Sequence, residues 1–215
     1  TLPRDRGRRA PTGDRISLWQ DLRAGWQIIV RDRLLSLVAI QATVAATLLL
    51  VMLSLVPGLV SRHLGVSVEN APFLVLPGGL GFVLGSALVG RVEKRLSRPL
   101  LISLGLTALG IAIGLVSLLS AVGDLLWGVG AAIFSVGLAL AFVIIPARTV
   151  LQERPPAELR GRVISAQLAL ANAAAIVPLL LGGTLADQFG ILPVMGSLGL
   201  IAFAAGVAGW GVVRR

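Results

Sequence analysis

Six long apolar runs without a charged side chain constrain this sequence more than any other feature. An α-helix rises about 1.5 Å per residue, so roughly 20 residues cross a hydrocarbon layer of about 30 Å. Each run is long enough to cross, and its backbone must be helical because lipid offers no hydrogen bonds. We therefore predict an all-α membrane protein with six transmembrane helices. The runs are Leu34–Ser61, Asn70–Gly90, Pro99–Gly123, Leu125–Ala147, Val163–Ala186 and Gln188–Val213.

The basic residues predict which ends of these helices face the cytoplasm. Of the 19 Lys and Arg residues, all but Arg62 lie before the first run, after the last, or in the second-to-third and fourth-to-fifth connections. Connections rich in Lys and Arg stay on the cytoplasmic side. We therefore expect both termini in the cytoplasm, which an even number of spans satisfies.

Composition argues against several other kinds of protein. Charged residues make up 13% of the chain, about half the share of a typical soluble domain. The net charge of +9 does not indicate nucleic-acid binding, because the basic residues adjoin the apolar runs, where membrane topology accounts for them. With no cysteine and one histidine, the chain offers neither a zinc site nor a buried Ser–His pair. We predict no enzyme activity, no metal and no cofactor.

The chain divides into three parts. Residues 1–16 are rich in Arg, Pro and Gly, and we expect them to be disordered. Residues 17–33 place apolar residues, Trp19 and Trp26 among them, at helical spacing between charges. This pattern predicts either an amphipathic helix in the lipid headgroup layer or a connector under the first span. Residues 34–213 are expected to form one bundle, with spans at about 34–60, 71–90, 99–122, 125–147, 163–186 and 190–213.

A short internal similarity suggests how the bundle is organised. The second run ends in GSALVG at residues 85–90, and the fifth ends in GGTLAD, counting one residue beyond the run, at 182–187. These runs hold equivalent places in a three-plus-three division and cross in opposite directions. That arrangement is what an inverted repeat would give.

Three stretches resemble the C-terminal half, spans seven to twelve, of a major facilitator superfamily transporter. Residues 21–29 (DLRAGWQII) resemble the helix that precedes span seven in bacterial drug and siderophore exporters. Residues 85–98 (GSALVGRVEKRLSR) resemble the signature loop of the superfamily, with Lys94 in place of its Asp and Ser97 in place of its Gly. The segments resembling span eleven of enterobactin- and macrolide-type exporters are 160–163 (RGRV), Pro178, Gly182, Gly183 and 186–190 (ADQFG).

This resemblance implies a function and a set of partners. It implies half of a secondary transporter in the bacterial inner membrane, which exports a small amphiphilic organic solute by proton-coupled alternating access. The partners would be the lipid bilayer, the solute and an N-terminal six-helix bundle that this sequence lacks. The alternative is a six-span membrane module that does not transport by itself and must pair with another bundle. With Lys94 in place of Asp, the latch that this Asp forms in the family is not expected.

The resemblance also assigns candidate residues. Spans seven, eight, ten and eleven line the central cavity in the family, so polar side chains in the first and fifth runs are candidates to contact solute. Hydrogen bonds between helices, or back to the backbone, would explain the same residues. The cavity candidates are Gln41, Thr43, Thr47, Gln167 and Asn172.

The signature loop and the fourth-to-fifth connection supply candidates for a gate, although ordinary topology signals also explain their charges. The gate candidates are Gly85, Gly90, Arg95, Arg98, Arg148, Arg160 and Arg162, and the helix-bend candidates are Pro178, Gly182 and Gly183. No ionisable residue lies inside any run, so we do not expect this half to carry the coupled proton.

Overall fold

The computed structural model describes residues 15–63, 71–122 and 126–213, and within these ranges every regular element is helical. Six of the helices, α2 to α7, are long and apolar enough to cross a membrane, which confirms the six predicted spans. A 3₁₀ turn at Ala157–Leu159 precedes α6. The α-helices are α1 (Arg15–Arg31), α2 (Arg33–His63), α3 (Ala71–Val92), α4 (Arg98–Val122), α5 (Leu126–Glu153), α6 (Arg160–Phe189) and α7 (Ile191–Val213).

Several helices continue beyond the apolar runs into charged sequence. Helix α5 passes Ala147 and reaches Glu153, and α6 passes the expected span end at residue 186 and reaches Phe189. The turn between α6 and α7 is confined to Gly190, whose φ of 91° lies in the left-handed region that glycine adopts without strain. Residues 123 and 124, which separate the third and fourth expected spans, lie outside the described residues, as do residues 1–14 of the segment expected to be disordered. Residues 15 and 16 of that segment belong to α1.

Asp32 separates α1 from α2. Its Oδ1 accepts hydrogen bonds from the backbone N–H groups of Leu34, at 2.9 Å, and Leu35, at 3.3 Å. A side-chain oxygen in this position satisfies N–H groups that have no partner at the start of a helix. The chain therefore starts a new helix here, and the amphipathic segment and the first span are two helices instead of one.

Helix α4 is the most buried of the six spans and forms the centre of the bundle. It packs extensively against α5 and α7, and α3 packs mainly against α5. On the other side, α2 packs against α6, and α6 also holds α1. Helices α3 and α6 are the least buried spans, so each leaves a wide face uncovered.

Glycines bring the packed helices into backbone contact. A Cβ at Gly137 of α5 would overlap the carbonyl oxygen of Gly78 in α3, and a Cβ at Gly81 would overlap that of Phe134. Small residues at helix contacts allow this approach, and close packing is a main source of helix association in lipid. The α3–α5 pair therefore depends on having no side chain at these positions.

We predict that Gly137→Ala destabilises the bundle by about 1–3 kcal/mol, because the methyl group must push α3 away from α5. The matched control is Gly130→Ala in the same helix, where a Cβ would meet nothing within 4 Å. Thermal unfolding of the two variants in detergent, followed by circular dichroism, measures the difference. Equal midpoints would contradict a close contact at Gly137.

Candidate functional site

Gln41 of α2 lies inside the bundle, in contact with α4 and α7. Gln41 is only 2% exposed, and its Nε2 donates a hydrogen bond of 3.0 Å to Oγ of Ser103 in α4. Gly209 of α7 packs directly on this amide. Gln41 therefore joins three helices inside the bundle, and this placement favours a structural role over contact with solute.

Thr43 and Thr47 follow Gln41 along α2. Thr43 is buried and Thr47 is half-buried, and neither hydroxyl has a hydrogen-bond partner among the described residues. An enclosed polar atom without a partner is unusual and calls for an explanation. Their proposed contact with solute remains a prediction.

Asn172 is exposed in the middle of α6, whereas Gln167 is half-buried. The described residues provide no hydrogen-bond partner to either side chain. They also provide none to Ser165, which lies seven residues before Asn172 on the same face of α6. The neighbours of Asn172 on this face are apolar and also exposed: Leu168 is 56% and Ile176 is 57% accessible. A single amide thus stands on an uncovered apolar face of a span.

Charged residues gather at the end of the bundle where α2, α4 and α6 begin and α3 and α5 end; we call this the basic end. Arg162 of α6 pairs with Asp21 of α1 at 2.9 Å, from Nε to Oδ1. Arg154 donates from Nε to Oδ2 of Asp32 at 2.6 Å. Asp32 and Arg154 were not among the candidate site residues, although an Asp just before an apolar run is a known helix-start signal.

A third ion-pair group at the basic end connects α3, α4 and α5. Arg98, at the start of α4, binds Glu153 at the end of α5, and its Nε lies 3.7 Å from Glu93. Arg98 and Arg162, both gate candidates, are therefore engaged in ion pairs that link helices. Arg162 therefore pairs with a carboxylate of α1, whereas Glu153 of the nearby connection pairs with Arg98.

The other gate candidates show no such pairing among the described residues. Arg95 and Arg148 are exposed, and Arg160 donates from Nε to the carbonyl of Pro155 at 3.4 Å. Gly85 is buried against α5, where a Cβ would lie 2.9 Å from the carbonyl oxygen of Leu138, whereas Gly90 has open space around it. Gly85 is thus required by packing, and a gating role for the whole set remains a prediction.

The helix-bend candidates lie in the C-terminal half of α6, away from the basic end. Helix α6 continues through Pro178. Gly182 is buried near Val51 of α2, whereas a Cβ built on Gly183 would meet nothing within 4 Å. At the same end, Arg62 of α2 pairs with Asp187 of α6 at 3.0 Å, with both side chains more than half exposed.

These features define a class of protein and then a family. The chain is a multi-pass α-helical membrane protein, and no group of three His, Cys, Asp or Glu side chains in the described ranges is placed to hold a metal. The model of the Major Facilitator Superfamily matches residues 1–178. The chain therefore belongs to this superfamily of transporters. A search of curated proteins finds no match.

The Asp32 contacts predict a pH dependence. Burial raises the pKa of Asp32, but the hydrogen bonds from Arg154, Leu35 and Leu34 outweigh it and hold the pKa below the ordinary value of 3.8. A depressed pKa means that Asp32 stabilises the fold above the unfolded-state pKa and loses this contribution as the pH falls through the lower folded-state value. The affected window therefore lies at and below about pH 4.

We predict that Asp32→Asn flattens the acid-induced loss of stability. The free energy of unfolding of the unaltered protein should fall more between about pH 6 and pH 3 than that of the variant. The control is Glu158→Gln, since Glu158 is exposed and forms no ion pair within the described residues. Identical pH slopes for Asp32→Asn and the unaltered chain would mean that Asp32 gains nothing from Arg154 and the two N–H groups.

Proposed function

We propose that this chain is one six-helix half of a secondary active transporter that exports a small amphiphilic organic solute, of drug or siderophore type. Transport would proceed by alternating access between this bundle and a second one. Family membership supports transport, and the likeness of residues 160–190 to span eleven of bacterial exporters supports the direction and the class of solute.

The observation that carries this proposal is the position of Asn172. Hydrocarbon cannot satisfy the hydrogen bonds of an amide, so a lone Asn facing lipid at mid-span is unfavourable. Asn172 has no partner among the described residues, and the face around it is uncovered. A solute-filled cavity against a second bundle gives this amide a partner, and transporters of this kind bind substrate near the bilayer midplane between two repeats.

Proton coupling is part of the proposal, and it requires a proton-carrying group in the second bundle. The six apolar runs contain no Asp, Glu, Lys, Arg or His. Ionisable groups inside the membrane are the usual carriers of a coupled proton. We therefore assign the proton-carrying group to the second bundle, with this chain supplying part of the solute site.

We propose the bacterial inner membrane as the location, with both termini in the cytoplasm. The basic end would then lie in the cytoplasm and the Arg62–Asp187 pair outside. The native chain has no cysteine, so single introduced cysteines report on each side without background. Ser97 and Gln188 are exposed at opposite ends and suit this purpose.

We predict that Gln188→Cys in intact cells reacts with a membrane-impermeant thiol reagent, whereas Ser97→Cys reacts only after the membrane is opened. The positive-inside rule is the physical reason. Reaction at position 97 in sealed cells would reverse the proposed orientation.

We predict that Asn172→Leu abolishes solute export while leaving the amount of folded protein nearly unchanged. The measurement is proton-gradient-driven export of ethidium and erythromycin by the transporter that contains this chain, reconstituted in liposomes and normalised to folded protein. Gln41→Leu is the contrasting variant. It removes the buried hydrogen bond to Ser103, so it should lower stability by about 1–3 kcal/mol while transport per folded molecule persists.

Two results would count against this function. If Asn172→Leu reduced folding while transport per folded molecule stayed normal, Asn172 would be a structural hydrogen-bond partner. If no proton-driven flux of either probe occurred with both bundles present, the non-transporting membrane module would be the better description.

A further inference from the structure

An apolar cavity lies between α2, α3 and α5 in the half of the bundle opposite the basic end. Its volume is about 280 Å³, and every residue that lines it is apolar. Val116 of α4 and Met195 of α7 close its inner side. We infer that this cavity binds the hydrocarbon part of the transported solute. This inference rests on the proposed function, and it specifies that the site selects for apolar groups.

The size of the cavity fits part of a solute. An apolar cavity of about 150 Å³ in another protein stays dry and accommodates benzene. A cavity of about 280 Å³ therefore has room for two fused rings or a short alkyl chain. Sites that enclose a whole drug-sized ligand usually measure roughly 300–1,000 Å³. The polar part of an amphiphilic solute would remain outside, where hydrogen-bonding groups are available.

The lining selects against polar groups and tolerates different apolar shapes. A donor or acceptor that entered the cavity would lose its hydrogen bonds, because no side chain there can replace them. The chain contains two methionines, Met52 and Met195, and both line this cavity. Methionine is unbranched and polarisable, so it adapts to irregular ligands and packs well on aromatic rings. The half-buried ring of Phe82 adds an aromatic wall.

Helix packing explains why the cavity stays open. The backbone contact of Gly78 with Gly137 holds α3 on α5, while α3 makes few contacts with α2. Helix α3 is therefore packed on α5, and a space is left between α2 and α3. Gly79 faces this space, and a Cβ built on it would meet nothing within 4 Å. A side chain added there would enter the cavity without a clash at its first atom.

The two methionines provide a direct measurement. We would label the methionine methyl groups of residues 1–215 with ¹³C, place the chain in lipid nanodiscs and titrate it with naphthalene. A ring bound between Met52 and Met195 shifts both resonances saturably through its ring current. Gly79→Leu should weaken naphthalene binding by about tenfold or more, since a loss of about 1.4 kcal/mol of contact energy suffices.

Gly130→Leu is the matched control, because Gly130 also has no atom within 4 Å of a built Cβ but does not line the cavity. It should leave the titration unchanged. If Gly79→Leu does not fold, Val75→Phe fills the cavity from a lining position that is already 39% exposed. Absence of saturable shifts, or equal binding by the filled variants and the control, would overturn the inference.

A lipid tail has the same chemistry as the proposed ligand, so a second arm separates the two sources. Met195 is only 2% exposed, so short-range nuclear Overhauser effects from lipid acyl chains to its methyl group require a tail inside the cavity. Loss of these effects on addition of naphthalene, or their absence from the start, supports a site open to solute. Effects that naphthalene does not remove would assign the cavity to lipid and overturn the inference.

Transport by the complete protein then distinguishes this inference from the proposed function. If Gly79→Leu loses naphthalene binding and also loses export of ethidium and erythromycin, the cavity is part of the solute site. If binding is lost while export is unchanged, the solute assignment is overturned and the transporter stands. If the unaltered protein binds naphthalene but exports neither probe, the proposed function fails. The assignment of the cavity to a transported solute then fails as well, and the cavity is only a site that binds hydrocarbon.

Discussion

Close approach of helix backbones at glycine is the interaction on which the rest of this structure depends. In lipid there is no hydrophobic gain from bringing two apolar helices together, so they associate through packing contacts and a few hydrogen bonds. The pairs Gly137 with Gly78 and Gly110 with Gly199 place backbone against backbone in α3–α5 and α4–α7. At Gly25, α1 is similarly close to the carbonyl of Arg162 in α6. These contacts fix which helices are neighbours, and therefore where polar residues meet and where a cavity is left.

Two amides in similar sequence surroundings end in opposite environments. Gln41 is enclosed by α4 and α7 and bonded to Ser103, whereas Asn172 is exposed on α6 with apolar neighbours. The first position is complete within the bundle, so a change there acts on folding. The second lacks a partner within the described residues, so its partner is sought outside this chain. This contrast separates a structural polar residue from a candidate functional one.

The sequence could predict the number and approximate position of the spans, because a charge-free run of this length has no other stable state in lipid. It could not predict that Gln41 is buried and Asn172 is exposed. Both runs are apolar on all sides, so the sequence carries no amphipathic pattern that orients the helix. It also could not decide which carboxylate Arg162 binds. Asp21 becomes its partner only because α1 folds against α6, a tertiary contact that no local signal encodes.

The uneven placement of the ion pairs has a consequence for how salt acts on the bundle. At the basic end, Asp21, Asp32, Glu93 and Glu153 each bind an arginine of another helix or loop, and these links join α1 to α6 and α3, α4 and α5 to one another. At the opposite end the described residues contain one such link, the solvent-exposed Arg62–Asp187 pair. Links between helices are therefore of two kinds along the helix axes. At the basic end the helices are joined by ion pairs, which salt weakens, whereas around the apolar cavity they are joined by backbone contacts such as that of Gly78 with Gly137, which salt does not affect.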